Sequence, residues 1–495
     1  MNLPKQGDRP SVSKVNLKRA SLSALVWSVA EKWGAHIFSL GVFLLLARLL
    51  GPEEFGLVAM AGVYIVFAQV FVDQGLSSAL VQREPLTSSH LNSAFWFSVA
   101  LGIVLTLISW LLAPVVANIF DEPALIVVLR WLSFVLVVNS LSGVHVALFQ
   151  RRLEFKPLAV RTLIATLVSG IVAIIMALQG FGVWSLVAQQ LVAATLKLGL
   201  LWLQSPWRPA LEFSFSAMKE LMSFSLNMLG NNLVEFGNRQ FDKLIVGYFL
   251  GPVILGYYVV AYRVYKLLLV MLSGAVGQVA FSSFSAIQSD HDRVRSTFYN
   301  ITRMGAFIAW PVFAVVAIYA SSIVGLLLDE QWNRIVPILQ ILLIAGALEC
   351  ILTFNASVFY ALDKAHWRFY IGLINTLVSI VMMLISVHYG LIYIALSHTI
   401  RIFALSPLPL YLIKKLIGLE FRQYLLGLWP SFFGVVLVLV VGKCIYYFLP
   451  MMSPIYILSI GLTISVTAYI LTVWLIEKEL VISGFSMVRN LKGRT

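Results

Sequence analysis

The feature that most limits how this chain can fold is a series of apolar runs, each 20 to 28 residues long, that follow one another from about residue 22 to residue 476. A helix rises about 1.5 Å per residue, so one such run crosses the roughly 30 Å hydrocarbon layer of a bilayer. No water is present in that layer to satisfy a peptide group, so the runs must be helices whose backbone bonds close within themselves. Composition agrees: 60% of the residues are hydrophobic and 12% are charged, about half the charged share of a soluble domain.

The runs predict an all-α membrane protein of about fourteen transmembrane helices, at about 22–48, 56–78, 91–113, 125–148, 158–178, 183–204, 219–249, 253–278, 298–327, 336–361, 368–388, 391–413, 425–449 and 453–476. Residues 1–21 are polar and basic. The stretch after them contains Glu31 and Lys32 and lacks a small-residue cleavage site, so it reads as a retained first span and not a signal peptide. With the N-terminus inside, the inner tails and loops hold 24 Lys and Arg and the outer loops about three, Arg48, Arg130 and Arg334. This asymmetry places both termini in the cytoplasm. The net charge of +13 thus punctuates the ends of spans and does not form a nucleic-acid surface. No connection is long enough to fold alone, so the protein acts within the bilayer.

The chain also repeats itself. Leu50-Gly51-Pro52-Glu53-Glu54-Phe55-Gly56 returns 200 residues later as Leu250-Gly251-Pro252-Val253-Ile254-Leu255-Gly256. Leu163-Ile164-Ala165-Thr166-Leu167-Val168-Ser169 returns at an offset of 210 as Leu373-Ile374-Asn375-Thr376-Leu377-Val378-Ser379, and Gly180 matches Gly390. Two matches at nearly one offset indicate a duplicated unit, the mark of a transporter with two related bundles. An even number of spans per unit makes the repeats parallel. The expected organisation is a cytoplasmic tail (1–21), a six-helix bundle (22–204), a cytoplasmic connection (205–218), a second six-helix bundle (219–413), two extra helices (414–476) and a final tail (477–495). The Gly-Pro pairs are read as turn devices, with glycine at the reversal and proline at the helix start.

Ionisable side chains at a span centre cost about 2.5–3.5 kcal/mol each on insertion scales, so each requires a partner or water. Asn231, Glu235, Arg239 and Asp242 are spaced to share one helical face, with Lys243 beside them and Asn232 adjacent. Arg239 can reach either Glu235 or Asp242 at this spacing. Arg263 and Lys266 follow in the next span, Glu31, Lys32 and His36 lie in the first, and Arg401 lies in the twelfth. By this tally six cations (Lys32, Arg239, Lys243, Arg263, Lys266, Arg401) face three carboxylates (Glu31, Glu235, Asp242). Local pairing predicts balance, whereas a cavity that receives an anion predicts an excess of cations. The cations with Asn231 and Asn232 are therefore the candidate substrate-binding set, and the three carboxylates are candidates for ion coupling.

Other features take plainer readings. Asp290-His291-Asp292 is expected to open a helix, since carboxylates suit helix N-termini. His145 and His398 lack a second ligand at metal spacing and read as hydrogen-bonded core residues. Cys350 and Cys444, both in apolar runs, read as buried inert thiols. Pro311 is expected to kink its helix, and the many aromatic residues read mostly as lipid-facing or interfacial. No nucleotide-binding, nucleophile-elbow or metal-cluster motif is present in the sequence. A transporter without cofactor or metal is expected, not an enzyme.

The 6+6+2 plan, the basic N-terminus, and Ala47-Arg48-Leu49-Leu50-Gly51-Pro52-Glu53-Glu54-Phe55-Gly56 closing the first span resemble the polysaccharide-export branch of the MOP flippase superfamily. The stretch Phe71-Val72-Asp73-Gln74-Gly75-Leu76-Ser77-Ser78-Ala79-Leu80-Val81-Gln82, and Leu148-Phe149-Gln150-Arg151-Arg152 with Phe155, are similar to the Wzx-type oligosaccharide flippases of the colanic and teichuronic acid exporter group. The resemblance implies two bundles that alternate access across a bacterial inner membrane. It implies an undecaprenyl-pyrophosphate-linked oligosaccharide as substrate, in contact with membrane lipid, and glycosyltransferases and a polymerase of the same pathway as partners. By analogy with related lipid flippases, Trp429 to Leu449 and Ile455 to Leu475 are candidates to line a groove for the polyprenyl tail. The alternatives are a drug or organic-cation antiporter of the same superfamily, which would want an acidic cavity, and a membrane polymerase or ligase. A silent assembly scaffold is a third, and it would not need mid-span cations.

Overall fold

The computed structural model describes residues 38–73, 75–449 and 452–482, and all regular elements among them are helical. Eleven helices are long and apolar enough to cross a membrane, or twelve if the bent pair Leu125–Ser140 and Gly143–Arg151 is one span. The expected fourteen is thus not reached, and two causes are visible. The span Met228–Gly274 is 47 residues long, about twice what a bilayer requires, and is interrupted by Gly251 at φ 77°. The first span is described only from Phe38, as Phe38–Leu49. Glu31, Lys32 and His36, together with residues 1–21 and 483–495 of the expected tails, lie outside the described residues.

We number the helices in chain order: α1 Phe38–Leu49, α2 Pro52–Asp73, α3 Leu76–Gln82, α4 Ser88–Ile119, α5 Leu125–Ser140, α6 Gly143–Arg151, α7 Phe155–Leu178, α8 Val183–Gln204 and α9 Phe215–Ala286. They continue with α10 His291–Ile318, α11 Ala320–Leu327, α12 Ile335–Leu352, α13 Phe354–Ala361, α14 Ala365–Ser386, α15 Leu391–Leu405, α16 Pro407–Ile417, α17 Phe421–Phe448 and α18 Pro454–Ile476. By packing, the chain divides into two compact units. Among the described residues, the first holds 38–46 and 60–240, and the second holds 47–59 and 241–482. The 205–218 segment and α9 up to Gln240 belong to the first.

In the first unit α4 packs on α5, α7 on α8, and α3 on α6. Gly75, in the left-handed region at φ 73°, breaks the second span between α2 and α3. α4 opens with a capping box in which Thr87 accepts from the His90 amide and His90 reaches back to the Thr87 amide. The 205–218 connection is tied to the start of α4. Trp96 donates to the Ala210 carbonyl at 2.8 Å, the Ala210 amide donates to Asn92 at 3.1 Å, and the Ser214 amide donates to Ser93 at 2.8 Å. These bonds satisfy backbone groups that a loop would otherwise leave to water. Arg151 closes the far end of α3 by donating to the carbonyls of Leu80, Val81 and Arg83 at 2.6–3.1 Å, where a cation also suits the helix dipole.

In the second unit α10, α12 and α15 form the centre, with α14 against α15 and the pair α17–α18 against α10 and α11. Gly434 lies under Tyr469, Gly442 under Ile318 and Gly461 under Tyr319, with no space for a Cβ. Small residues at these crossings let helices approach where lipid provides no hydrophobic drive. The carboxylate at the start of α10 is as expected: Asp290 is the N-cap and accepts from the Arg293 amide at 3.0 Å.

The duplicated elements take matching forms. α7 and α14 carry the second echo, and the glycine that follows each, Gly180 and Gly390, has positive φ (80° and 98°) before the next helix begins. The Gly-Pro motif does more than turn the chain. A Cβ on Gly56 would fall on the carbonyl of Pro252, and a Cβ on Gly256 would fall on the carbonyl of Pro52. Each copy of the motif therefore uses its closing glycine to receive the other copy's proline carbonyl, a reciprocal contact that the turn reading missed. Trp332, fully buried, fastens the same place. Its indole donates to the Ala47 carbonyl at 2.7 Å and its ring meets Phe55 and Tyr257 edge-on.

Candidate functional site

The sequence-selected residues fall into two groups, one in each unit. In the first unit, Asn231, Glu235 and Arg239 lie exposed on α9 together with Asn238, and Asn232 is half-buried beside them. The spacing that put them on one helical face in the sequence holds. Arg239 is bound to Glu235 at 2.6 Å, the favourable i, i+4 order. A stripe of two amides, a carboxylate and a guanidinium inside a spanning helix is costly in hydrocarbon and calls for water or a polar partner.

The same unit holds a smaller polar group that the sequence did not single out. Gln69 donates to Asp73 at 3.0 Å and accepts from Asn139 at 3.0 Å. Ser77, Ser98 and Ser140 line a notch beside them.

Asp242 does not join Arg239. Its carboxylate accepts from the Tyr258 hydroxyl at 2.9 Å, because the helix beyond Gln240 belongs to the second unit, where α9 presents a tyrosine stripe. Tyr258, Tyr262 and Tyr265 are spaced four and three apart, so they share one face. Tyr258 stacks on Tyr262 with ring centroids 5.4 Å apart, and Tyr262 and Tyr265 follow at 5.3 Å. These aromatics are half-buried or buried, not lipid-facing as expected. Lys243 lies within electrostatic reach of Asp242 and Arg263, and Arg263 is exposed.

The stripe leads to a network built from four helices. Lys266 of α9 reaches Glu349 of α12 at 3.4 Å, and the Tyr265 hydroxyl donates to the other oxygen of the same carboxylate. His398 of α15 lies 3.3 Å from the Tyr265 hydroxyl through Nε2 and 3.3 Å from the Arg401 guanidinium through Nδ1. Arg401 also donates to Asn375 of α14 at 2.9 Å. The Lys266 ammonium rests over the rings of Tyr265 and Tyr262 at 5.4 and 5.9 Å, a favourable cation–π position.

Glu349 is the residue of this network that sequence reading missed. With it, the mid-span tally becomes six cations against four carboxylates, and Lys266 is no longer a cation without an acidic neighbour. A lone carboxylate in the middle of the 336–361 apolar run was the available signal. Its partner could not be read, since α9 and α12 meet only in the fold. His398, expected to be a hydrogen-bonded core residue, is hydrogen-bonded but belongs to this network. His145 fits the plainer reading: buried, it pairs with Ser205 at 2.8 Å among Phe95, Trp202 and Trp207. Of the two thiols, Cys350 is buried but Cys444 is exposed, against expectation. Among the described residues no group of His, Cys, Asp and Glu could hold a metal ion.

Comparison with known proteins follows this geometry. A sequence profile described as "Polysaccharide biosynthesis protein" matches residues 45–337, more than half of the chain. The chain is 26% identical to the teichuronic acid biosynthesis protein TuaB of Bacillus subtilis, covering 73% of this chain and 74% of that protein. It is 25% identical to the lipopolysaccharide biosynthesis protein WzxC of Escherichia coli, covering 85% and 86%. Among solved structures, the fold is similar to the lipid II flippase MurJ in an inward closed conformation, with a TM-score of 0.75, 15% identity, and coverage of 92% of this chain and 100% of that one. It is similar to an inward-facing multidrug resistance MATE transporter at a TM-score of 0.57 and 15% identity, covering 77% and 95%.

Proposed function

We infer, for a chain that belongs to the polysaccharide biosynthesis protein family, that it flips a lipid-linked oligosaccharide across the membrane. The relatives named for teichuronic acid and lipopolysaccharide biosynthesis support this reading at the level of the substrate class, and the MurJ-like fold supports a flippase architecture. The observation that carries it is the exposed polar face of α9, since a helix that must only anchor a protein in lipid has no use for Asn231, Glu235, Asn238 and Arg239 on an exposed stripe.

The chemistry of the substrate matches the groups available. An undecaprenyl-pyrophosphate-linked oligosaccharide brings a pyrophosphate that must cross hydrocarbon, and Arg and Lys meet such oxygens with charge-assisted hydrogen bonds. Lys32, Arg239, Lys243, Arg263, Lys266 and Arg401 are the candidates for that role. Asn231 and Asn232 serve the sugar hydroxyls, and the polyprenyl tail stays in lipid along the exposed apolar faces of α17 and α18. Glu31, Glu235 and Asp242 are the candidates for coupling to an ion gradient. The protein works in a bacterial inner membrane with both termini in the cytoplasm, beside the glycosyltransferases and polymerase of its pathway.

The test is leaflet accessibility. Proteoliposomes carrying a defined undecaprenyl-pyrophosphate-linked oligosaccharide are probed with a membrane-impermeant sugar-modifying enzyme. Protein-dependent movement of the lipid to the probed leaflet is expected, and equal accessibility in protein-free vesicles and proteoliposomes overturns the reading.

A further inference from the structure

The hydrogen bonds of the α9–α12–α15 network have a direction. A guanidinium can only donate, so the contact from Arg401 to His398 Nδ1 makes that nitrogen an acceptor. The ring proton of His398 then sits on Nε2, which faces the Tyr265 oxygen. Tyr265, having accepted there, donates its own proton to Glu349. Lys266, which also can only donate, reaches the same carboxylate from the other side. The donors therefore run from Arg401 through His398 and Tyr265 to Glu349, and from Lys266 to Glu349. Both runs end on one carboxylate, which holds Lys266 in place, while Arg401 also donates to Asn375.

We propose that Glu349 is a resident anion that occupies Lys266 until it takes up a proton, so that binding of the substrate's pyrophosphate is linked to protonation of Glu349. This deepens the flippase reading and rests on it. In the step, a Glu349 oxygen forms an O–H bond with a proton from hydronium, whose own O–H bond breaks to leave water, at the partly exposed side where the carboxylate side chain retains 30% exposure. The Lys266–Glu349 ion pair breaks, and Lys266 keeps its own protons. The trio of Lys266, Arg401 and Glu349 passes from one excess positive charge to two, and the released ammonium binds a phosphate oxygen instead. The exchange is an even one for the half-buried lysine, which trades one counter-charge for another.

The charged and titratable groups acting on Glu349 are Lys266, His398, Tyr265 and Arg401, with Tyr262 on the same face of α9 and Cys350 next in the chain. α10, also packed on α12, faces this stretch with Trp310, which donates to the Ala347 carbonyl at 2.9 Å. The group able to trade a full negative charge for an external anion is thus Glu349.

Calorimetric titration of the full-length protein in nanodiscs with inorganic pyrophosphate, in buffers of different ionisation enthalpy, counts the protons exchanged on binding. Because pyrophosphate itself exchanges protons, the reading is the difference between the wild type and Glu349→Gln, whose amide oxygen still accepts from Tyr265. The wild type is expected to take up more protons per pyrophosphate than the variant, by up to about one. Its affinity is expected to fall relative to the variant's, by up to about tenfold per pH unit, as pH rises through the titration of Glu349. Glu349→Asp, which keeps a carboxyl, is expected to restore the extra uptake. In parallel, the infrared difference spectrum of the wild type is expected to gain a protonated-carboxyl band when pyrophosphate is added, a reading that needs no variant to fold. Binding with equal proton uptake in wild type and Glu349→Gln, or with no such band, overturns the proposal and leaves the flippase reading standing. Absence of pyrophosphate binding by the wild type, together with absence of lipid movement in proteoliposomes, overturns both.

Discussion

Two ion pairs inside the membrane-spanning helices show how differently the same chemistry can be specified. Arg239 and Glu235 lie one turn apart on a single helix at 2.6 Å, with side chains 73% and 57% exposed. Lys266 and Glu349 lie on different helices at 3.4 Å, with side chains 40% and 30% exposed, and share their contact with Tyr265. The first pair is set by helical periodicity, and both of its side chains stay largely exposed. The second is set by packing, with Lys266 resting over the rings of Tyr262 and Tyr265, so removing either member leaves its partner short of a contact made across two helices. A local pair is a cheap accessory of a helix, while a tertiary pair is part of what holds helices together.

The contrast can be broken most decisively at Glu349. Glu349→Ala removes the acceptor on which Tyr265 and Lys266 converge and is expected to destabilise the second unit by about 1–3 kcal/mol for each of the two donors left without it. Thermal unfolding in detergent measures this, and a wild-type melt would show that the network holds nothing together.

Next in size is the cationic pair on α9. The double variant Arg263→Ala, Lys266→Ala is expected to weaken pyrophosphate binding by about 1.5–3 kcal/mol for each charge-assisted bond lost. Lipid-linked oligosaccharide should then accumulate on the cytoplasmic leaflet, and wild-type polymer export would remove these residues from the substrate path.

The reciprocal glycine contact gives a third point. Gly256→Ala places a methyl group against the Pro52 carbonyl and is expected to cost about 1–3 kcal/mol of stability. The same substitution at Gly274, where a Cβ meets nothing within 4 Å, is the control. Equal melting temperatures for the two would deny that the motifs clasp each other.

The smallest stability effect is expected at the local pair. Glu235→Gln should change stability by no more than about 0.5 kcal/mol. Arg239→Ala should leave folded protein that no longer exports, and adding Glu235→Gln should not restore export if Arg239 serves the substrate. Recovery of export in the double variant would reduce Arg239 to a structural counter-ion.

Much of this molecule was legible before any coordinates. Apolar run length determined that the chain is helical and spans a membrane, since hydrocarbon permits little else. Spacing along one helix determined the stripe from Asn231 to Arg239 and the pairing of Glu235 with Arg239, because residues four apart face the same way whatever surrounds them. Equality of sequence at an offset of 200 residues revealed the duplication. Only the tertiary structure decided that Gly56 and Gly256 each receive the other motif's proline carbonyl, that Asp242 turns to Tyr258 and not to Arg239, and that Glu349 is the terminus of a network reaching from α9 to α15. Those contacts join residues on different elements or on either side of a break at Gly251. One-dimensional periodicity fixes the face on which a side chain lies, but the partner it meets there depends on which helices pack together.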